Sequence, residues 1–309
     1  MKVLVTGGAG FIGSNLADEL VLRGHDVSIV DNLSTGKMEN VNGQAKFHKA
    51  DLRDADQLES VFESEKPEAV FHLAAQINVR SSIKDPIYDA SVNVLGSINL
   101  LECCRKHGVK KVIYSSSGGA VYGEPKNLPV DETHRIRPMC QYGASKYAVE
   151  KYLEVYKSVY GLDSIVLRYG NVYGPRQDPA GEAGVIAIFI DRMISGQEII
   201  INDDGDQTRD FVYVGDVVAA NVLALEKDPE EREFNVGNGK PTSVNGIVRS
   251  LEKALSVNAN PRHMPAISGE VRHIYSDTSR ARKSLGFEPA VGLDEGLKRT
   301  VEWVKSRKS

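Results

Sequence analysis

The chain has 309 residues, 41% of them hydrophobic and 26% charged, and its formal net charge at pH 7 is −4. This composition is typical of a folded globular protein with one large α/β domain and an added lobe, and the negative charge argues against nucleic acid as the main partner. The adjacent Cys103 and Cys104 suit neither a disulfide nor a zinc site, and Cys140 is unpaired by count, as a pocket residue or a buried thiol would be. No apolar run is long enough to span a membrane, and the sequence starts without a charged leader. We therefore expect a cytoplasmic protein without a metal or a membrane partner.

The first half of the chain alternates β-branched apolar runs with stretches in which apolar residues recur at helical spacing. Residues 2–6 predict a strand, and residues 11–24, after a glycine turn, predict a helix. The further predicted strands are 27–31, 45–52, 68–75, 110–117 and a sixth from 162, and the further predicted helices are 54–64, 86–106 and 141–160. Asp85 before Pro86 is typical of a helix N-cap. This order predicts a doubly wound parallel sheet, the Rossmann architecture, with ligands at the carboxyl ends of its strands.

Beyond about residue 171 the pattern loosens, with prolines, glycines and shorter elements. Helices are predicted at roughly 184–195, 214–226, 243–256 and 292–306. We therefore expect an α/β fold with a smaller C-terminal lobe. The sheet domain would comprise residues 1–170 with part of 208–237, and the lobe residues 171–207 and 238–309. A cleft between them is the expected ligand site.

The turn after the first strand has the pattern of a dinucleotide site. In TGGAGFIG, Gly8, Gly10 and Gly13 match G-x-G-x-x-G, and Gly7 comes directly after the strand. Asp31 ends the second strand 18 residues after Gly13, where a carboxylate would accept hydrogen bonds from the adenosine ribose and repel a 2′-phosphate. The pattern therefore favours NAD over NADP. An ordinary strand-to-helix turn is the alternative explanation for the glycines alone.

The stretch YGASK places Tyr142 and Lys146 four residues apart, on one face of a predicted helix. An ammonium near a phenol favours the phenolate, so we expect Lys146 to lower the pKa of Tyr142 and make it a base for a hydroxyl proton. A solvated helix face is the alternative for this pentapeptide by itself. The serines of YSSSGGAVYG, at the end of the fifth strand, would lie at the same edge of the sheet.

Taken together, these motifs resemble those of the extended short-chain dehydrogenase/reductase superfamily, and within it the UDP-sugar 4-epimerases. The similarity covers nearly the whole chain and is carried by TGGAGFIG, HLAAQ, VNVLG, SSSGGAVYG, YGASK, RYGNVYGPRQ, TRDFVYVGDV, FNVGNG and GEVRHIYSD. It implies that a UDP-hexose is oxidised reversibly at C4, with UDP-glucose and UDP-galactose or their N-acetylated counterparts as substrates. Tyr142 would be the base, Lys146 would hold the nicotinamide ribose, and a serine hydroxyl would share the sugar oxygen.

The resemblance extends the candidate sites to specific residues. Counting from the strand gives Ser117 as the catalytic serine, with Ser116 as the alternative, because this loop has one residue more than many epimerases. The expected cofactor contacts are Gly7, Gly10, Phe11, Ile12, Gly13, Asp31, Asn32, Asp51, Leu52, Leu73, Ala74, Ala75, Asn93, Ser115, Tyr142, Lys146 and Tyr169. Asp51 could equally cap the helix at 54–64, and Leu73 could equally be a core residue.

The expected substrate contacts are Ser117, Tyr142, Asn171, Arg209, Glu270 and Arg272. Asn171 could instead be a turn residue, and either arginine could instead pair with Asp210 or Glu270 on the surface. Three positions depart from the family pattern: Ile267 stands where an Arg is common, Ile274 where a gate residue affects room for an N-acetyl group, and Gly170 where Phe is common.

Related enzymes define the rival functions. Nucleotide-sugar dehydratases carry an Asp-Glu pair where this chain has Gly119 and Ala120, and the missing Glu also argues against a UDP-glucuronate decarboxylase. A UDP-glucuronate epimerase stays open, and an NAD-sensing binding protein without turnover is a hypothesis of another class.

The helices near 86–106 and 141–160 correspond to the pair that forms a dimer interface in this superfamily, so we expect a homodimer. Burial within one subunit is the alternative explanation for their apolar stripes.

Overall fold

Seven parallel strands form the main sheet of the protein, whose computed structural model describes residues 1–180, 184–266 and 271–308. The strand order is β10-β6-β5-β4-β1-β2-β3. These strands are β1 (Lys2–Thr6), β2 (Asp26–Asp31), β3 (Lys46–Lys49), β4 (Ala69–His72), β5 (Lys111–Ser117), β6 (Asp163–Tyr169) and β10 (Glu233–Val236). The doubly wound parallel sheet predicted from the alternating pattern is therefore confirmed.

Helices cover both faces of this sheet. In chain order the helices are α1 (Phe11–Leu22), α2 (Ala55–Glu65), α3 (Val79–Lys84), α4 (Pro86–Ala90), α5 (Gly96–Lys106), α6 (Gly118–Val121), α7 (Gln141–Tyr160), α8 (Val185–Ile194), α9 (Val214–Glu226), α10 (Val244–Leu255), α11 (Ser279–Leu285) and α12 (Leu293–Lys308). The β strands are apolar on both sides because each face packs against helices, and the two resulting cores contain, for example, Val5 with Leu16 and Leu4 with Phe62.

The register of the sheet aligns the carboxyl ends of the strands that matter for the site. Thr6 of β1 lies opposite both Val30 and His72, and Ser117 of β5 lies opposite Tyr169. The residues that follow these strands consequently share one edge. That edge carries the glycine turn, Asp31, the loop after β4 and the serines of β5, as the strand pattern predicts.

A smaller assembly packs beside this edge. It contains a three-stranded sheet of β7 (Asn171–Tyr173), β9 (Thr208–Tyr213) and β11 (Pro241–Ser243), and a pair formed by β8 (Ile200–Asn202) and β12 (Arg262–Met264). Its apolar core includes Phe189, Phe211 and Leu251. Within the described ranges, no helix has the length and apolar surface needed to cross a bilayer.

The helix predicted at 86–106 contains a local change that the periodicity does not reveal. Asp85 caps α4 as expected, because its Oδ1 accepts a hydrogen bond from the N–H of Tyr88 at 2.9 Å. Between α4 and α5, however, Ser91–Leu95 forms a π-helical turn. Such a turn inserts one residue into the helix and is frequent at functional sites. Here it places Asn93 inside the protein, facing the loop after β4.

Candidate active site

The glycine turn brings β1, α1 and the loop after β4 into close contact. Gly7 has φ +71°, and a Cβ at that position would lie 2.7 Å from the backbone nitrogen of Ala74. A Cβ on Gly13 would lie 2.2 Å from the carbonyl oxygen of Gly7. Helix α1 begins after Gly10 without a side-chain cap, so its first N–H groups face the edge of the sheet. This geometry fits a pyrophosphate at a helix N-terminus.

Gly13→Ala is therefore expected to disrupt the turn. The added methyl group overlaps the Gly7 carbonyl, and overpacking of this kind costs about 1–3 kcal/mol of unfolding free energy. We expect NAD to bind about tenfold more weakly or worse, as calorimetric titration would measure. Gly43→Ala is the matched control, since its Cβ would meet no atom within 4 Å. Equal NAD affinity in the two variants would contradict the assignment of this turn.

Asp31 lies at the end of β2 with its carboxylate buried. Its two oxygens accept hydrogen bonds from the N–H groups of Ala9, at 3.0 Å, and Leu33, at 2.8 Å. Burial raises the pKa of Asp31, and these two hydrogen bonds oppose the rise. A carboxylate has about four lone-pair sites, so two remain for the hydroxyls of a ribose. The residues present therefore fit an adenosine diol at this position.

Asp51 does not cap α2. That role belongs to Asp54, whose Oδ1 accepts a hydrogen bond from the N–H of Gln57 at 3.0 Å. Asp51 instead accepts hydrogen bonds from Asn32, at 2.8 Å, and from the guanidinium of Arg53, which holds the pKa of Asp51 well below its usual range. Asn32 and Asp51 thus form one polar pair beside Asp31, where an adenine would lie. Leu52 is buried in the core beside them.

The loop after β4 is held by neighbouring side chains. The N–H of Ala74 donates to Thr6 Oγ1 at 3.2 Å, and Leu73, Ala74 and Ala75 are half-buried. Asn93 accepts from the N–H of Gln76 at 2.8 Å and donates to its carbonyl at 2.8 Å. Asn93 therefore clamps this loop, rather than only bonding within its own helix.

His72 is a site residue that the sequence analysis missed. Its ring lies between Thr6 Oγ1 and Ser97 Oγ, at 2.8 Å from each, and burial lowers the pKa of His72 to about 3. Ser97 Oγ donates its proton to the Asn93 carbonyl, so it accepts from His72 Nε2. The neutral ring then accepts from Thr6 at Nδ1. The position of His72 at the end of a buried strand, in the motif HLAAQ, is the sequence signal that could have indicated this role.

The three serines at the end of β5 point to different partners. Ser115 Oγ donates to the His72 carbonyl at 3.1 Å, and Ser116 Oγ donates to Glu150 Oε1 at 2.5 Å. The hydroxyl of Ser117 lies near the phenol of Tyr142 and acts to lower the pKa of Tyr142. Of the two alternatives for the catalytic serine, these contacts favour Ser117, because Ser116 is occupied by a buried carboxylate.

Tyr142 and Lys146 lie in the first two turns of α7. The prediction that Lys146 lowers the pKa of Tyr142 is wrong for the protein chain by itself. Burial raises the pKa of Tyr142 above its usual value, against the prediction that Lys146 lowers it. Burial also lowers the pKa of Lys146 to about 7, opposed by attraction to Glu150 and then to Asp89. The Lys146 ammonium lies 4.7 Å from the centre of the Tyr114 ring. Removal of both groups from water outweighs the attraction that the sequence spacing predicts.

Tyr169 and Asn171 flank Gly170 where β6 leads into β7. The Tyr169 hydroxyl bonds with Asn221 in the core, so only the backbone of Tyr169 lies near the edge of the sheet. Asn171 is half-buried, close to where a side chain on Gly119 would be. Gly170 has a packing reason of its own, because a Cβ there would lie 2.7 Å from the carbonyl oxygen of Asp210. The Phe common at this position in the family would need a shifted β9.

The two candidate phosphate-binding arginines are neighbours. Arg209 donates to the carbonyls of Thr208, at 2.9 Å, and of Arg272, at 3.1 Å. Arg272 forms exposed ion pairs with Asp203, at 2.7 Å, and Asp204, at 2.6 Å. The alternative explanation, pairing on the surface, therefore describes Arg272, although its partners are not the expected Asp210 or Glu270. Asp210 is buried and accepts backbone N–H groups, including that of Asn238 at 2.7 Å.

The remaining expectations concern the segment around residue 270. Glu270 and Ile267 lie outside the described residues. Ile274 is buried against Val121, Tyr122 and Val130, next to the loop that carries the serines.

Comparison with known proteins gives one consistent family. Residues 3–237 match the model of the NAD dependent epimerase/dehydratase family. The chain is 44% identical to the UDP-glucose 4-epimerase of Mycolicibacterium smegmatis, over 99% of both chains. Its fold matches the crystal structure of UDP-glucose 4-epimerase with UDP-glucose from Thermotoga maritima, with a TM-score of 0.98, 49% identity and full coverage of both chains.

A second solved structure includes the cofactor. It is the UDP-glucose 4-epimerase of Thermus thermophilus in complex with NAD, which matches with a TM-score of 0.93 and 43% identity over 99% of both chains. The family match, the identity and the coverage all agree with the glycine turn, the aligned strand ends and the Ser117–Tyr142 contact described above. The chain belongs to the NAD dependent epimerase/dehydratase family.

Proposed function

We propose that this protein is an NAD-dependent UDP-hexose 4-epimerase that interconverts UDP-glucose and UDP-galactose. The observation that carries the proposal is the proximity of Ser117, at the carboxyl end of β5, to Tyr142, with the buried Lys146 one helical turn further along α7. This arrangement supplies a base, a hydroxyl that shares the same sugar oxygen, and a cation, which is what oxidation of a secondary alcohol needs from the protein.

Each residue of this group has a distinct part in the reaction. Tyr142 Oη takes the proton from the sugar 4-hydroxyl and returns it after the sugar has turned over. Ser117 donates to the developing oxyanion and stabilises the phenolate. Lys146 holds the nicotinamide ribose. NAD, when bound, takes the hydride from C4 and gives it back to the opposite face, so it is regenerated in each cycle. Because burial raises the pKa of Tyr142, its phenolate is a strong base once formed.

The smaller lobe, which contains β7, β8, β9, β11 and β12, is proposed to hold the nucleotide sugar. Asn171 lies on β7 and Arg209 on β9, and these two strands pair in parallel. Asn171 Oδ1 would lie 3.9 Å from a Cβ on Gly119, two residues after β5. A guanidinium suits the diphosphate because it offers several donors in one plane. Arg272 could join it by exchanging its exposed pairs with Asp203 and Asp204 for the phosphates, since exposed ion pairs are worth only about 0–1 kcal/mol.

The loop between β5 and α7 supports epimerisation over related reactions. Dehydration or decarboxylation needs an additional acid near the sugar, and this chain has Gly119 and Ala120 there. Crowding at the Cβ does not explain the glycine at position 119, because a Cβ there would meet its nearest neighbour, Asn171 Oδ1, at 3.9 Å. The Cβ of a larger residue would have room there, and neither position carries an acid. A 4-epimerase needs no further acid.

The test is to incubate purified protein with UDP-glucose, UDP-N-acetylglucosamine and UDP-glucuronate in parallel and to follow each 4-epimer by NMR. We expect UDP-glucose to reach equilibrium with UDP-galactose. Turnover of UDP-glucuronate alone would assign the uronate epimerase instead. Bound NAD without turnover of any of the three would favour the NAD-sensing binding protein.

We also propose a homodimer formed through α4, α5 and α7. Large apolar residues on α4, on α7 and in the π-helical turn between α4 and α5 are exposed to water: Ile87 is 82% exposed, Val159 62% and Leu95 59%. An apolar patch of this kind on a globular protein is typical of a protein interface. The alternative explanation for the apolar stripes was burial within one subunit, and these three exposed residues do not fit it.

The double variant Leu95→Glu with Val159→Glu is expected to be monomeric in light scattering, whereas the wild type has twice the mass of one chain. Two buried, unpaired carboxylates per subunit would cost several kcal/mol of association free energy. Leu22→Glu is the matched control, because Leu22 is 81% exposed on α1, away from this face. A monomeric wild type at micromolar concentration would contradict the proposal.

A further inference from the structure

Asp89 is a fully buried carboxylate that joins three parts of the site. Its Oδ2 accepts from Ser145 Oγ at 2.6 Å. Its Oδ1 accepts from Gln76 Nε2 at 2.9 Å and from Asn93 Nδ2 at 3.0 Å. Gln76 belongs to the cofactor loop, Asn93 to the π-helical turn, and Ser145 to α7 between Tyr142 and Lys146. One side chain thus connects the cofactor loop to the catalytic helix.

The charge of Asp89 also needs an explanation, because the three side chains that donate to it are neutral. A buried charge is stable only when it is hydrogen-bonded and balanced. The other buried carboxylate near Lys146 is Glu150, and its charge is balanced by Arg168 at 2.6 Å. Lys146 is buried as well and carries the opposite sign. Glu150 attracts Lys146 more than Asp89 does, but Glu150 is shared with Arg168. Asp89 is hydrogen-bonded to Ser145, the residue directly before Lys146, and therefore contributes to the charge balance of Lys146.

We propose that Asp89 is a positioning residue for the proposed epimerase reaction, with two separable actions: its hydrogen bonds fix α7 against the cofactor loop, and its charge adds to that of Glu150 in balancing the Lys146 ammonium. The inference depends on the proposed function for its effect on turnover. Its effect on Lys146 does not depend on that function.

Two single-residue variants separate these actions. Asp89→Asn removes the charge but keeps the shape: its amide oxygen can accept from Gln76 and Asn93, and its NH2 group can donate to Ser145 Oγ. Ser145→Ala keeps the charge and removes the hydrogen bond to α7. If Asp89→Asn does not fold, Asp89→Ser removes the charge and leaves room for water.

The sign of the expected change follows from the charge. Attraction to Asp89 favours the protonated form of Lys146, and repulsion from Asp89 disfavours the phenolate of Tyr142. Loss of that charge therefore lowers the pKa of both groups, and both limbs of the pH–rate profile move to lower pH. Among the residues that the structure describes, the other titratable groups facing Tyr142 or Lys146 are His72, Tyr114, Cys140 and Glu150, all unchanged in these variants.

The primary measurement is an NMR titration of the Lys146 side chain, assigned by comparison with Lys146→Met, and it needs no turnover. We expect the Lys146 midpoint to fall in Asp89→Asn and to stay at the wild-type value in Ser145→Ala. In the turnover assay, Ser145→Ala should lose about tenfold in kcat with an unshifted pH profile. Equal midpoints in wild type and Asp89→Asn would overturn the charge role, and full kcat in Ser145→Ala would overturn the positioning role. A shifted Lys146 midpoint in a protein that turns over no UDP-hexose would uphold the charge role and reject the proposed function.

Discussion

Tyr142→Phe is expected to lower kcat for interconversion of UDP-galactose and UDP-glucose by about 10³-fold, within the range that a general base contributes. The substitution removes one oxygen and leaves the ring in its half-buried place on α7. NAD should therefore bind with close to wild-type affinity, and KM should change little. Steady-state kinetics together with calorimetric NAD titration checks both parts.

The control for this variant is Tyr152→Phe on the same helix. Tyr152 is 40% exposed and lies further along α7, so the loss of its hydroxyl should leave kcat unchanged. If Tyr142→Phe retained near-normal kcat, the proton would have to be taken by another group and the assigned base would be wrong. A loss of NAD binding in the same variant would mean that the phenol acts through the cofactor site instead.

Lys146→Met is expected to lower kcat by about 10²-fold and to weaken NAD binding. The methionine chain has a similar length, so packing against Tyr114 is kept while the cation is lost. Without that cation, the Tyr142 phenolate and the buried Asp89 lose a buried positive charge that balances them. The variant should therefore need a higher pH to reach its residual maximum, since the phenolate is harder to form.

Lys151→Met is its matched control. Lys151 lies one further turn along α7, is 47% exposed and pairs with Glu154. Loss of an exposed ion pair is worth about 0–1 kcal/mol, so kcat and NAD affinity should be unchanged. Equal losses in the two variants would show that positive charge anywhere on α7 suffices, contrary to the role given to Lys146.

The parts of the structure that the sequence predicts well depend on local rules. Strand ends, the glycine turn and Asp31 follow from chain order, because parallel strands place their carboxyl ends at one edge whatever the details of packing. The cap at Asp85 is equally local. The prediction that these residues share one edge of the sheet was correct for these reasons.

The parts that were missed depend on burial. Asp89 and Glu150 occur at helical positions where an acidic residue is normally solvated, and nothing in the sequence marks them as buried. The π-helical turn has no periodic signal over five residues. The direction of the Tyr142 pKa was wrong because spacing reveals the nearby lysine but not the loss of water around the phenol. The sequence also did not show that Gly170 lies against Asp210, because this contact joins residues that are far apart in the chain.

The central claim is that the sugar is oxidised at C4 by hydride transfer, with Tyr142 handling only the hydroxyl proton. The most direct measurement is to incubate the protein with UDP-galactose deuterated at C4, in ordinary water, and to determine the isotope at C4 of the UDP-glucose formed. Our account predicts that deuterium is retained at C4, because the same hydride leaves and returns within the closed site. A product carrying solvent hydrogen at C4 would contradict it, since inversion would then proceed by removal of a C–H proton.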